Sequence, residues 1–204
     1  MNKKIVLIGG GAHSISIINL IRRNFSNFKI LGYTDLKKSK LDIKYLGKDE
    51  LIFKKYNKKD ILLVMSIGVD IKVRAKVFNL FKKKGYKFIT IIDKTSVIAS
   101  NAKIYEGSVI FPNSSVGPEA VIGKNVVLHT NSVVEHNSIV CENSYVGPSA
   151  VVCGNSKVGK NCLVGANSCI LEFIKLPHNS ILGASGLLNK NYKKNKIFTG
   201  VPAK

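Results

Sequence analysis

The apolar positions of this chain keep two different rhythms, and the change between them divides it. Up to Asp93, short apolar runs alternate with amphipathic stretches. The runs KIVLIG (4–9), KILGYTD (29–35), DILLVMSIG (60–68) and YKFITII (86–92) predict buried strands. SISIINLIRRNF (14–25) and DIKVRAKVFNLFKKKG (70–85) carry apolar residues at helical spacing and predict helices. Strand, helix and strand in that order imply a parallel sheet with crossover helices. The piece is long enough for half of a doubly wound fold and too short for a whole one.

From Ile98 the apolar period becomes six. Every sixth residue from Ile98 through Ile104, Ile110 and Val116 to Leu188 is Ile, Val or Leu, sixteen positions in all. Chance would produce such a run with a probability on the order of 10⁻⁸. Four residues after each aliphatic the chain is nearly always small, as at Ala102, Ser114, Ser138 and Ser168, with Val126 and Ile174 the larger exceptions. One hexapeptide supplies a short strand and a corner, and three close a triangular coil with the aliphatic side chains inside. Glycines directly after the aliphatic (Gly117, Gly123, Gly147, Gly159, Gly165, Gly183) are expected to serve the turn backbone. One coil cannot bury its own face, so coils must stack. The expected architecture is an α/β half-Rossmann domain over residues 1–93 and an all-β solenoid over 94–204.

Composition trims the functional options. The 204 residues are 45% hydrophobic, as befits a globular protein. A formal net charge of +20 invites a nucleic-acid partner. The excess is lysine scattered over the first half, with only Arg22, Arg23 and Arg74 beside it, no Trp and no interleaved aromatics. A lysine-rich solvated surface is the expectation, with no nucleic acid bound. Cys141, Cys153, Cys162 and Cys169 show no CxxC spacing and are expected to be reduced packing residues. KKIVLIGGG is too short for a secretory core, and no apolar run could span a bilayer, so a cytoplasmic location without membrane insertion is expected.

Two places carry chemistry. IVLIGGGAHS follows a strand and opens a helix, where backbone amides and the helix dipole favour a phosphate. Its template, Gly9-x-Gly11-x-x-Ser14, lacks the third glycine of a dinucleotide fingerprint, and Asp35 at the end of the next strand supports a nucleotide contact. The second place is VVEHN. His136 lies two residues after the inward Val134 and should point away from the coil interior. A coil of eighteen residues puts Gly154 over it, leaving room for a ligand beside the ring and an exposed backbone N–H. That N–H is a candidate donor to a tetrahedral oxyanion.

With GGGAHS, GYTD, SIG, VVEH and GVPAK in this order, the chain resembles the bacterial NeuD/PglD-type sugar acetyltransferases over nearly its whole length. The resemblance implies a left-handed parallel β-helix, a homotrimer with active sites between subunits, and acetyl-CoA as co-substrate without a metal. It implies N-acetylation of a nucleotide-linked 4-amino-4,6-dideoxy sugar in surface glycan biosynthesis, or alternatively O-acetylation of sialic acid or a related nonulosonic acid. His136 matches the family's general base, and imidazole suits proton abstraction near neutral pH. Asn137 stands where a carboxylate is common, and could orient the ring without stabilising its charge as a carboxylate would. Gly154, Ala166 and Ala184 match the acetyl-CoA groove, with Lys204 near the CoA phosphates. Tyr145 replaces a histidine near the thioester, and His129 stands where an asparagine near the acetyl group is frequent; either could bond a ligand. Gly11, Ala12, His13, Asp35 and Gly68 match the nucleotide-sugar site, with Ala12 replacing a glycine and Leu36 standing where a second acid is common.

Three other readings compete. A zinc hydratase on such a solenoid needs three converging histidines, and His129, His136 and His178 are not spaced to converge. An NAD enzyme lacks the second nucleotide half. A silent sugar-binding scaffold has only Asn137 in its favour.

Overall fold

A computed structural model describes residues 3–204. The chain forms two compact units, Met1–Ile89 and Thr90–Lys204.

The first unit runs β1 (Lys3–Ile8), α1 (Ala12–Asn24), β2 (Phe28–Thr34), α2 (Asp49–Lys55), β3 (Leu62–Met65) and α3 (Ile71–Lys83). The three strands are parallel in the order β2-β1-β3. Ile5, Val6, Leu7 and Ile8 are all buried, as a strand covered on both faces requires. Helix α3 is capped at its start by Asp70, whose Oδ1 accepts the Val73 N–H at 3.1 Å. Helix α2 was not expected. It has Asp49 and Glu50 in its first turn and Lys54 and Lys55 in its last, an order that suits the helix dipole.

The run 86–92 was expected to be one strand, and it is divided. Phe88 makes an isolated bridge to Leu63, whereas β4 (Ile91–Ile92) pairs with Val109–Ile110 as the first rung of the second unit. The contact boundary at Ile89/Thr90 accordingly lies a little before Asp93.

The second unit is a parallel β-solenoid with three sheets of seven, six and five two-residue strands. Face one begins with Ile91–Ile92, face two with Val97–Ile98 and face three with Lys103–Ile104. Register advances by eighteen residues, so Val134 pairs with Val116 below and Val152 above. Of the sixteen periodic aliphatics, all but Ile98 and Ile104 are buried, and those two are partly covered. Each buried aliphatic contributes about 1.5–3 kcal/mol of transfer free energy.

The corners have their own chemistry. The small residue does more than save space, because its hydroxyl satisfies a carbonyl inside the corner: Ser138 Oγ donates to Cys153 O at 2.7 Å and Ser144 Oγ to Gly159 O at 2.7 Å. Every sixth residue from Asn113 to Ser185 has φ between 55° and 63°, the left-handed region that asparagine tolerates well. Asn125, Asn143, Asn161 and Asn179 stack there, each side-chain amide donating to the next at 2.9–3.1 Å. The glycines after the aliphatics therefore do not supply the left-handed turn. They permit close stacking: a Cβ on Gly165 would lie 2.5 Å from Ala184 N, and one on Gly117 would lie 2.7 Å from His136 N.

Candidate active site

In the first unit, a cavity of about 540 Å³ opens at the C-terminal ends of the three strands. Gly11, Ala12, His13, Asp35 and Gly68, the five residues that the family resemblance matched to a nucleotide-sugar site, all line it, whereas His129, the other substrate candidate, lies in the solenoid. Gly11 is the N-cap of α1, with no side chain bonded to the helix start, so the first-turn amides face an opening suited to an anion. Ser14, where a third glycine would stand, is buried and donates from its hydroxyl to Gly9 O at 3.0 Å. Ser66 Oγ donates to the same carbonyl at 2.7 Å, fixing the turn from both sides.

Asp35 is partly committed to this turn. Its Oδ2 accepts the Gly10 N–H at 2.6 Å and its Oδ1 accepts the Leu36 N–H at 2.6 Å. Lys48, Asp49 and Glu50 also line the cavity, and the sequence reading missed them with helix α2. Thr34 Oγ1 donates to Asp49 Oδ1 at 2.6 Å. Burial pushes the Asp49 carboxyl above its ordinary value, opposed by the Thr34 hydrogen bond and reinforced by the charges of Glu50 and Asp35.

In the solenoid, His136, Asn137 and Gly154 share the corner between faces two and three. His136 is exposed on its outer side. On its inner side the ring rests on buried Gly154, where an added Cβ would lie 2.6 Å from Nε2. Nδ1 is 3.0 Å from Asn137 Oδ1. When Nδ1 donates to that amide oxygen, the lone pair sits on Nε2. Asn137 has φ 57°, so it is also a member of the left-handed turn series. The amide that orients the ring is thus the residue type the backbone favours there. The Gly154 amide N–H donates to no protein acceptor among the described residues.

The remaining solenoid candidates lie elsewhere on the prism. His129 is at the corner between faces one and two, stacked on Phe111 with ring centroids 4.5 Å apart, and its Nδ1 accepts the Thr130 N–H at 2.9 Å. Burial lowers its pKa, which favours the neutral ring. Tyr145 is buried in face one, its ring centroid 5.9 Å from that of His129. Ala166 and Ala184 occupy successive coils of the corner between faces one and two, since Ser185 N bonds Ala166 O at 2.8 Å. Lys204 follows a short terminal bridge, Gly200 to Ala203, and its N–H bonds Thr199 O at 3.1 Å. His178 lies at the third corner, where its Nδ1 accepts the Lys160 N–H at 2.7 Å. The three solenoid histidines thus stand on three different corners.

Burial makes Cys153 and Cys162 poor nucleophiles. Cys153 and Cys169 have sulfurs 3.8 Å apart, and burial, with Cys169 beside it, pushes the Cys153 thiol up to about 12. Burial pushes Cys162 to about 11. Among the described residues no three His, Cys, Asp or Glu side chains gather as a metal site, and no helix is long and apolar enough to cross a membrane.

Residues 4–81 match the family described as the PglD N-terminal domain, and residues 92–197, just over half the chain, match the GMPPB C-terminal domain. Over residues 92–197 the chain belongs to the family of the GMPPB C-terminal domain, and its first unit is similar to the PglD N-terminal domain. No curated protein sequence matches it. Among solved structures, the acetyltransferase domain of PglB from Neisseria gonorrhoeae FA1090 aligns with TM-score 0.93 at 19% identity, over 100% of this chain and 99% of that one. The same domain in complex with acetyl coenzyme A gives 0.92. PerB from Caulobacter crescentus, in complex with CoA and GDP-perosamine, gives 0.91 at 21% identity over 100% and 97%. WeeI from Acinetobacter baumannii AYE gives 0.86 at 20% identity over 99% of both chains. At such identities the NeuD/PglD-type likeness in three dimensions is one of fold.

Proposed function

We propose that the protein is a cytoplasmic acetyltransferase that moves the acetyl group of acetyl-CoA to the amine of a nucleotide-linked 4-amino-4,6-dideoxy sugar, as a step in surface glycan synthesis. The observation that carries this is the His136 imidazole seated on Gly154 with Nδ1 beside Asn137 Oδ1. The sugar amine attacks the thioester carbonyl, and Nε2 of His136 takes its proton. The Gly154 N–H bonds the oxyanion of the tetrahedral intermediate. Collapse breaks the C–S bond, and the departing thiolate takes the proton from the imidazolium. The cavity at the first strand ends holds the nucleotide, with the diphosphate at the start of α1 and Asp35 beside the ribose or base.

The prism geometry also bears on assembly. His136, Asn137 and Gly154 occupy one corner, whereas Ala166 and Ala184 occupy another. A groove using both sets takes them from two copies, which supports a homotrimer with sites between subunits. Sedimentation should give three times the chain mass. The acceptor is tested by acetyl-CoA-dependent thiol release with GDP-, UDP- and dTDP-linked amino sugars and with free nonulosonic acids. Release only with a nucleotide-linked amine supports the proposal; release only with a nonulosonic acid replaces it with O-acetylation.

A further inference from the structure

We infer that Phe173 is a ligand-contacting residue of the acetyl-CoA groove, its ring forming an apolar wall against the thioester end of the pantetheine arm. The inference rests on the acetyl-CoA reading above and adds to it a residue that neither the motifs nor the family likeness assigned.

Three observations meet at this residue. Its φ is 63°, in a turn series of thirteen residues that is otherwise nine Asn, two Ser and one Glu. A bulky apolar side chain is a steric outlier in that backbone region. Second, the strain gains nothing inside the fold, because Phe173 is 68% exposed. Third, its place is not arbitrary. The Phe173 N–H bonds Gly154 O at 3.3 Å, so it sits one coil above the glycine that carries His136. The neighbouring position breaks its own column as well, since Ile174 stands where Ala120, Ser138 and Ser156 precede it. Ser156 Oγ closes on Leu171 O at 2.8 Å, and Ile174 has no hydroxyl with which to continue that ladder.

An exposed aromatic held in an unfavourable backbone, next to the proposed reaction centre, fits an apolar partner that arrives from solution. With the acetyl group between His136 and the Gly154 N–H, the sulfur and the first methylenes of the arm leave along this corner. Coils are stacked about 4.8 Å apart, within reach of a phenyl ring on the next turn.

Phe173→Asn separates the roles, because asparagine is the residue the turn prefers. The melting temperature should rise by about 2–4 °C as the backbone relaxes. Affinity for acetyl-CoA and for acetyl-pantetheine, measured by calorimetry on the intact oligomer, should fall by about tenfold for each. Affinity for adenosine 3′,5′-bisphosphate should stay unchanged, and Phe173→Leu should retain most of the wild-type binding. Undiminished acetyl-CoA affinity in Phe173→Asn overturns the inference, as does a loss confined to the nucleotide fragment or one that appears only as the oligomer dissociates. Wild-type protein that binds no acetyl-CoA removes the parent reading and this inference together, which distinguishes the two failures.

Discussion

The two units build binding surfaces in opposite ways. In the α/β unit, the cavity gathers residues from separate segments: Gly11 and His13 after β1, Asp35 after β2, Asp49 on α2 and Gly68 after β3. No two of these positions are equivalent, so each can be tuned alone. In the solenoid, every corner residue has counterparts eighteen residues away, and the frame is satisfied by Asn, Ser, Gly and aliphatics. The position two after each aliphatic is left free by that frame, and His136 and Gly154 stand there in successive coils; Phe173, in a series of asparagines, breaks its column outright. The α/β unit opens its cavity where strands end; the solenoid offers its candidates at the corner position that stacking leaves unconstrained.

The sharpest way to break this comparison starts at that corner position. His136→Ala should lower kcat by about 10²–10⁴-fold. Acetyl-CoA affinity should stay within a few-fold of wild type; retained turnover would show that the imidazole is not the base. Next come two glycines of the same solenoid. Gly154→Ala puts a methyl against the His136 ring, which can swing away, so kcat should fall by about 10²-fold while the melting temperature hardly moves. Gly165→Ala puts its methyl against the Ala184 backbone, which cannot yield, and should cost about 1–3 kcal/mol of stability. Thermal unfolding and steady-state kinetics on both variants should show opposite patterns.

Asp35→Ala acts in the other unit. It removes the acceptor of the Gly10 N–H and should raise KM for the nucleotide sugar about tenfold, with acetyl-CoA binding unchanged. Equal loss for both ligands would end the assignment of the cavity to nucleotide. The smallest effect concerns Asp49. Its folded pKa is raised, so folding favours the protonated form, and the stability this lends is lost as pH climbs from the ordinary carboxylate value through the folded one. Asp49→Asn should therefore raise the melting temperature slightly at neutral pH. The gain should shrink as pH falls through about 4 and vanish well below it, where wild type is protonated folded and unfolded alike.

The two units also differ in how legible they were. The inward column of the solenoid could be read because a six-residue period over sixteen positions has no competing explanation. The turn chemistry was misassigned to the glycines, although asparagine three places after most aliphatics marked the left-handed residue; composition alone does not distinguish a glycine needed for φ from one needed for close approach. Helix α2 is under two turns long, too short for an apolar period, and only the order of acids Asp49 and Glu50 before Lys54 and Lys55 signalled it. The run 86–92 has strand-forming residues from end to end and no Gly, Pro, Asn or Asp to mark a break, so nothing local showed that Ile91 and Ile92 belong to the next unit. The seat of His136 on Gly154 was legible through the eighteen-residue arithmetic; a role for it was implied only by the family likeness, since a lone histidine carries no pattern of its own.

The stacking of coils has one more consequence. Along each edge of the prism, the backbone positions of equivalent residues are separated by whole multiples of about 4.8 Å. A lineage carrying this scaffold can relocate a group by one step through a substitution eighteen places along the chain, without rebuilding the backbone. The points of attachment are thus quantised, and side-chain length supplies the adjustment between steps, as the His136 ring reaching Gly154 one coil on illustrates.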